Sequence, residues 1–130
     1  MNFRATYKEL SSVASFFGER QLLLKYDGVN QFSLHTKESV FLFSLDIDWY
    51  FKLERIEGNI IYFKMNTSGW ASRKGLRKIF GSKYGVQLKD NETLIIDLPK
   101  VLPYKFRRFV IENMSISETG IELNFIFEES

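Results

Sequence analysis

The stretch FLFSLDIDWYFKL, residues 41–53, decides the fold class of this chain. Its apolar residues fall on every second position, and the residues between them are mostly polar. Because a strand points alternate side chains to opposite faces, this spacing predicts one long strand with a strongly apolar, largely aromatic face. Common strands have only about five or six residues. We therefore expect a helix, another sheet or an apolar ligand to cover this face.

Shorter apolar segments separated by turn signals predict further strands on both sides of this stretch. These strands are 21–26, 32–36, 60–65, 86–88, 93–98, 106–117 with a bulge between Ile111 and Met114, and 121–127. Residues 37–39 are polar and predict a break before the long strand, which we expect to run from Val40 to Arg55. Residues 40–65 then form a hairpin with arms of unequal length.

Two segments have helical periodicity. Residues 6–17 place apolar side chains on one face, and Thr6 and Glu9 have the spacing of a capping box. Residues 69–80 predict a central helix. Together with the strands, these segments predict an α+β fold of about seven mostly antiparallel strands, one central helix and one short N-terminal helix. The length of the chain fits one domain, residues 1–130.

The composition excludes several classes of site. The chain has no cysteine, which rules out disulfides, zinc–thiolate sites and cysteine nucleophiles. It has one histidine, His35, and neither a phosphate-binding loop motif nor a GxSxG motif. We predict that the protein is not an enzyme and that it has no metal or cofactor. The absence of a visible signal segment predicts a cytoplasmic protein, although the mature form of an exported protein would look the same.

Asp46 and Asp48 share the polar face of the long strand. Paired carboxylates can hold a hard cation or act as an acid–base pair. This spacing is common on strands, however, and a solvated polar face is the simpler interpretation.

Basic residues are concentrated in one segment, although the formal net charge is only +2. Residues 58–89 contain seven Lys or Arg and no Asp or Glu. In the predicted central helix, like charges four residues apart destabilise the helix by about 0.2–0.5 kcal/mol per pair, which favours an anionic partner. The candidate anion-binding residues are Arg73, Lys74, Arg77, Lys78 and Lys83. Their partner would be an anionic membrane surface or nucleic acid, and the alternative is a solvated face paired with acids elsewhere.

The aromatic face is either ordinary core or the wall of an apolar cavity. Cavities for small apolar ligands are lined by side chains of this kind. The candidate ligand-binding residues are Phe41, Phe43, Trp49, Phe51, Phe63, Phe125 and Phe127.

The order of these parts resembles bacterial tubular lipid-binding (TULIP-like) domains. The similarity covers residues 40–127: a long amphipathic hairpin, a helix, the segment LIIDLPKVLP and then FVIENMSISETGIELNFIF. In that family, long curved strands wrap a helix and enclose an acyl chain. The resemblance implies a strongly curved sheet, contact of the aromatic row with an acyl chain, and contact of the basic helix with headgroups. Members of the family are usually longer and exported, so this shorter chain would be half of such a unit, would be completed by a dimer, or would be an unrelated α+β domain.

We therefore predict a non-enzymatic binding domain for lipid or another apolar ligand, with the basic helix touching anionic surfaces. One alternative is a structural or protein-interaction module that forms a homodimer through a strand edge or an apolar face. A further alternative is nucleic-acid binding through residues 58–89.

Overall fold

A computed structural model of the chain describes residues 2–40, 42–66, 77, 85–90, 92–101 and 108–127. The elements are, in chain order, β1 (Asn2–Ala5), α1 (Tyr7–Gly18), β2 (Leu23–Gly28), β3 (Gln31–Val40), β4 (Phe43–Glu57), β5 (Ile60–Asn66), β6 (Val86–Lys89), β7 (Thr93–Asp97), α2 (Leu98–Val101), β8 (Phe109–Ser117) and β9 (Gly120–Phe127).

The strands form two antiparallel sheets, which confirms the predicted α+β class. The large sheet has six strands in the order β2-β3-β4-β5-β7-β6, and the small sheet has the order β1-β9-β8. The prediction of about seven strands in one curved sheet is wrong, because β8 and β9 pair with β1 rather than with the large sheet. The large sheet is open, with β2 and β6 at its two edges. The predicted central helix, 69–80, lies outside the described residues except for Arg77.

The predicted break at residues 37–39 is also wrong. These residues belong to β3, which pairs with β4 without interruption from Gln31 to Val40. The polar side chains of Lys37 and Ser39 are tolerated because they are exposed to water, and Lys37 lies opposite Asp46. The long strand accordingly begins at Phe43, not at Val40 as predicted, and ends at Glu57, two residues beyond the predicted Arg55.

The predicted N-terminal helix and its capping box are confirmed in α1. The Thr6 hydroxyl accepts a hydrogen bond from the Glu9 N–H, and the Glu9 carboxylate accepts one from the Thr6 N–H. Helix α1 covers the edge of the large sheet, since its serines bond the backbone beside β2. The hydroxyl of Ser11 accepts from the Leu24 N–H, and that of Ser15 accepts from the Leu22 N–H.

The small sheet packs on the inner face of the large sheet. The N–H of Ile111 in β8 donates to the carbonyl of Gly58, and the Asn59 amide donates to the carbonyl of Phe109. One core cluster takes in side chains from both sheets: Leu22, Leu24, Phe32, Leu34, Ile47, Trp49, Phe51, Ile61, Phe63, Met65, Leu94, Phe109, Ile111, Ile116 and Ile121. Another sheet therefore provides much of the cover that the long aromatic strand needs. Neither described helix is long and apolar enough to cross a membrane.

Candidate functional site

The β3–β4 hairpin extends beyond the other strands of the large sheet. The pairing of β2 with β3 ends at His35, and the pairing of β5 with β4 ends at Tyr50. Beyond these residues β3 and β4 continue with each other alone, as far as Val40 opposite Phe43. We call the described residues 36–40 and 42–47 the distal ribbon. The distal ribbon therefore has no flanking strand in the described part of the large sheet.

The end of the distal ribbon is apolar and exposed. Leu42 is 87% exposed, Phe43 73% and Leu45 41%, and we call these three residues the apolar tip. Phe43 and Leu45 lie on the same face of β4 as Ile47, which is only 6% exposed. The apolar face that β4 turns to the core therefore continues into the distal ribbon, beyond the point where β2 and β5 end.

The base of the distal ribbon is fixed by Thr36. Its side chain is buried, and its hydroxyl donates a hydrogen bond of 2.9 Å to the carbonyl of Gln21. Val40 lies four positions after Thr36, which places the tip roughly 13 Å beyond this anchor at about 3.3 Å per residue. The apolar tip is thus held away from the body of the protein.

The outer face at the base of the ribbon carries His35 between two carboxylates. The Nδ1 atom of His35 lies 2.8 Å from Oδ1 of Asp48, and the Nε2 atom lies 3.5 Å from Oδ1 of Asp46. The contact with Asp48 is a hydrogen bond, whereas the contact with Asp46 is within ion-pair distance only. Within the described residues no group of three or more His, Asp or Glu side chains is arranged to hold a metal ion. The two aspartates therefore serve as partners of His35 in this structure.

The candidate apolar ligand-binding residues lie in separate parts of the structure and do not form one group. Trp49, Phe51 and Phe63 are at most 2% exposed and belong to the packed core, where the rings of Phe51 and Phe63 meet edge to face at 6.4 Å. Phe43 is in the apolar tip, and Phe41 lies outside the described residues.

Phe125 and Phe127 lie on β9, far along β4 from the tip. Their rings are 5.5 Å apart, and the ring of Phe125 is 5.4 Å from that of Phe109. The carbonyl of Phe109 is bonded to Asn59, just after the end of β4 opposite to Phe43. These phenylalanines and the apolar tip therefore do not line a common cavity.

The candidate anion-binding residues are mostly outside the described part of the chain. Arg77 is exposed, whereas Arg73, Lys74, Lys78 and Lys83 have no described position. Another basic pair, which the sequence pattern does not reveal, lies on the outer face of the large sheet.

Three open grooves are lined by described residues, with volumes of about 520, 360 and 390 Å³. The largest is lined by Asp27, Gln31, Tyr50, Phe51, Lys52, Lys64, Met65 and Asn66. It contains the missed basic pair, Lys52 and Lys64, which are directly opposite each other on β4 and β5. The sequence alone does not show this pair, because the two lysines become neighbours only through the register of the β4–β5 hairpin.

Comparison with known proteins gives no relative for this fold or for these surfaces. No family model, no curated protein and no solved structure matches the chain.

Proposed function

We propose that this chain is a non-enzymatic binding domain that contacts lipid through the apolar tip of its distal ribbon. The observation that carries the proposal is the exposure of Leu42 and Phe43 at the end of a projecting two-stranded ribbon. Large apolar side chains at such a position contribute nothing to the core, and they are available to an apolar environment outside the protein.

The energy available from the tip is sufficient for reversible attachment to a membrane surface. The exposed fractions of Leu42, Phe43 and Leu45 amount to about two whole side chains. Burial of a Leu or Phe side chain contributes about 1.5–3 kcal/mol, so insertion of the tip provides roughly 3–6 kcal/mol. The basic residues of the segment 73–83 would add electrostatic attraction to anionic headgroups, about 1 kcal/mol for each residue near the surface.

The polar residues behind the tip set the depth of insertion. Ser39 lies opposite Ser44, and Lys37 lies opposite Asp46. The distance along β4 from Phe43 to Asp46 is about 10 Å, which matches the depth of roughly 5–10 Å at which interfacial segments bury their apolar faces. The charged pair then remains at the level of the headgroups.

A lipid surface suits this tip better than a cavity ligand or a protein groove. Trp49, Phe51 and Phe63 pack against other core side chains, so an acyl chain has no room between them without repacking. Stable protein–protein interfaces bury about 1,200–2,000 Å² in total, whereas the tip offers only three side chains. A fluid lipid phase needs no such area and no complementary shape.

Co-sedimentation with vesicles tests the proposal. We expect the wild-type protein to sediment with phosphatidylcholine vesicles, and more strongly when about a third of the lipid is phosphatidylserine. The substitution Phe43→Ser should reduce the partition coefficient about 5- to 30-fold, the equivalent of roughly 1–2 kcal/mol of lost burial. The matched control is Phe16→Ser, which removes a phenylalanine that is 89% exposed on helix α1.

Equal losses in the two variants, or no sedimentation of the wild-type protein, would refute lipid contact through the tip. If Phe43→Ser instead converts a stable dimer into a monomer in analytical ultracentrifugation, the tip is a protein interface, and the homodimer alternative replaces the lipid proposal.

A further inference from the structure

The outer face of the large sheet carries a row of lysines. Gln31 on β3 pairs with Lys52 on β4, and Lys52 pairs with Lys64 on β5. Thr93 on β7 pairs with Lys64 on one side and with Lys89 of β6 on the other. Residues directly opposite each other point to the same face of a sheet, so these five side chains form one line across five strands. At about 4.8 Å per strand the line is roughly 19 Å long. We call Lys52, Lys64 and Lys89, all of them exposed, the lysine row.

The charges of the row are not compensated within the described part of the chain. Like charges directly opposite each other destabilise a sheet, and Lys52 and Lys64 are such a pair. Neither forms an ion pair with a described residue, although Arg4, Arg55 and Lys100 each bond a carboxylate. An anion bound between the two lysines would offset their repulsion.

The groove beside the row has the chemistry of a base-binding surface. Its volume is about 520 Å³, and the Tyr50 side chain that lines it is 41% exposed. The amides of Gln31 and Asn66 lie in the same groove, and Asp27 is the one acidic residue among its described lining residues. Exposed aromatic rings stack on unpaired bases, and amide groups donate and accept hydrogen bonds at base edges.

We propose that this outer face binds single-stranded nucleic acid, with phosphates on the lysine row and a base stacked on Tyr50. A single strand fits the arrangement because its phosphates follow one another along a line and its bases are free to stack. A duplex would present no unpaired base to Tyr50. The site is separate from the apolar tip, since Lys52 lies nine residues from Phe43 along β4, a distance of about 30 Å, and on the opposite face.

Fluorescence anisotropy with a labelled oligo(dT) or oligo(U) of about twelve nucleotides tests the site. We expect binding that weakens with salt, with a slope of log K against log[KCl] of about −2 for three phosphate contacts. The double variant Lys52→Ala/Lys64→Ala should bind at least about tenfold more weakly, with a slope nearer −0.7. The control Lys8→Ala/Lys37→Ala removes the same charge from α1 and the distal ribbon and should change the affinity less than about threefold.

Two further probes distinguish nucleic acid from other polyanions. Tyr50→Leu should weaken oligonucleotide binding about 5- to 10-fold, because stacking is lost, and should leave the binding of inorganic polyphosphate unchanged. Phe43→Ser should not alter oligonucleotide affinity, so failure of the lipid proposal and failure of this one are separable. The double lysine variant should unfold at the same or slightly higher urea concentration than the wild type, since repulsion is removed.

Three results would overturn the proposal. The first is the absence of oligonucleotide binding at about 20 mM KCl, where electrostatic binding is strong. The second is full binding by the double lysine variant, which would place the contact away from Lys52 and Lys64. The third is a Tyr50→Leu variant that binds oligonucleotide as the wild type does.

Discussion

Replacing Ser11 by alanine tests how helix α1 is held against the edge strand β2. The Ser11 hydroxyl accepts a hydrogen bond of 2.8 Å from the Leu24 N–H and donates one of 2.6 Å to the Tyr7 carbonyl. Both Ser11 and Leu24 are only 8% exposed, so in Ser11→Ala the Leu24 N–H loses this partner in a buried position. Such a loss costs about 1–3 kcal/mol, from which we subtract the roughly 0.5 kcal/mol that alanine adds to a helix.

Urea unfolding followed by tryptophan fluorescence measures this change. The net loss is then about 0.5–2.5 kcal/mol, and at a mid-range m-value of about 2 kcal/mol/M we expect the midpoint of Ser11→Ala to fall by roughly 0.3–1.2 M. The control is Ser12→Ala on the next position, where the exposed hydroxyl donates only to the Lys8 carbonyl. Both variants gain the same helix propensity, so their difference isolates the bond to β2. Identical midpoints for the two variants would refute the view that serines anchor α1 on the sheet edge.

Two further predictions concern a glycine and a carboxylate. Gly120 has φ +152°, and a Cβ there would overlap the Ala5 carbonyl oxygen. Gly120→Ala should therefore disrupt the small sheet and lower the melting temperature far more than Gly58→Ala, which is strained through its φ of +64° but whose Cβ meets nothing within 4 Å. Hydrogen bonds from the backbone and side chain of Thr6 lower the pKa of Glu9. The stabilising effect of this carboxylate is present above its ordinary pKa and is lost as pH falls through the lowered value, so Glu9→Gln should flatten the acid limb of stability against pH; an unchanged limb would contradict this.

Alternation alone could predict much of the large sheet and the bulge in β8 of the small sheet. The stretch 41–53 identifies β4 because its apolar face is continuous, and the bulge predicted between Ile111 and Met114 is confirmed between Ile111 and Asn113. The four-residue strand β1 is too short to give a periodic signal, and it forms because β9 offers a partner. The turn after β3 was misplaced because polar residues at 37–39 suggest a break, whereas in an exposed hairpin they pair normally.

The exposure of the apolar tip could not be predicted from the residues of the tip. Phe43, Trp49 and Phe51 belong to one alternating row in the sequence, yet the first is 73% exposed and the other two are buried. The difference arises because β2 and β5 stop before the end of the β3–β4 hairpin. The lengths of neighbouring strands, and not the character of the row itself, therefore decide which aromatic residues reach the surface.

The lysine pair depends on a single extra residue in β4. Near the turn, Glu57 pairs with Ile60 and Arg55 with Tyr62, and that register would place Lys52 opposite Met65. The bulge between Leu53 and Arg55 shifts the pairing by one residue, so Lys52 faces Lys64 and Phe51 faces Met65. A one-residue shift exchanges the two faces of a strand. The bulge therefore keeps the apolar side chains in the core and at the same time brings the two lysines together.

Each proposed surface contains a residue whose placement lowers the local stability of the fold. Phe43 is exposed on a ribbon without flanking strands, and Lys52 is opposite a like charge. Placements of this kind are expected at functional sites, where stability is given up for binding. The tip continues the inner face of β4, whereas the lysine row lies on its outer face about 30 Å away. A lipid at the tip would thus leave the lysine row accessible, and the two binding activities should respond independently to substitution.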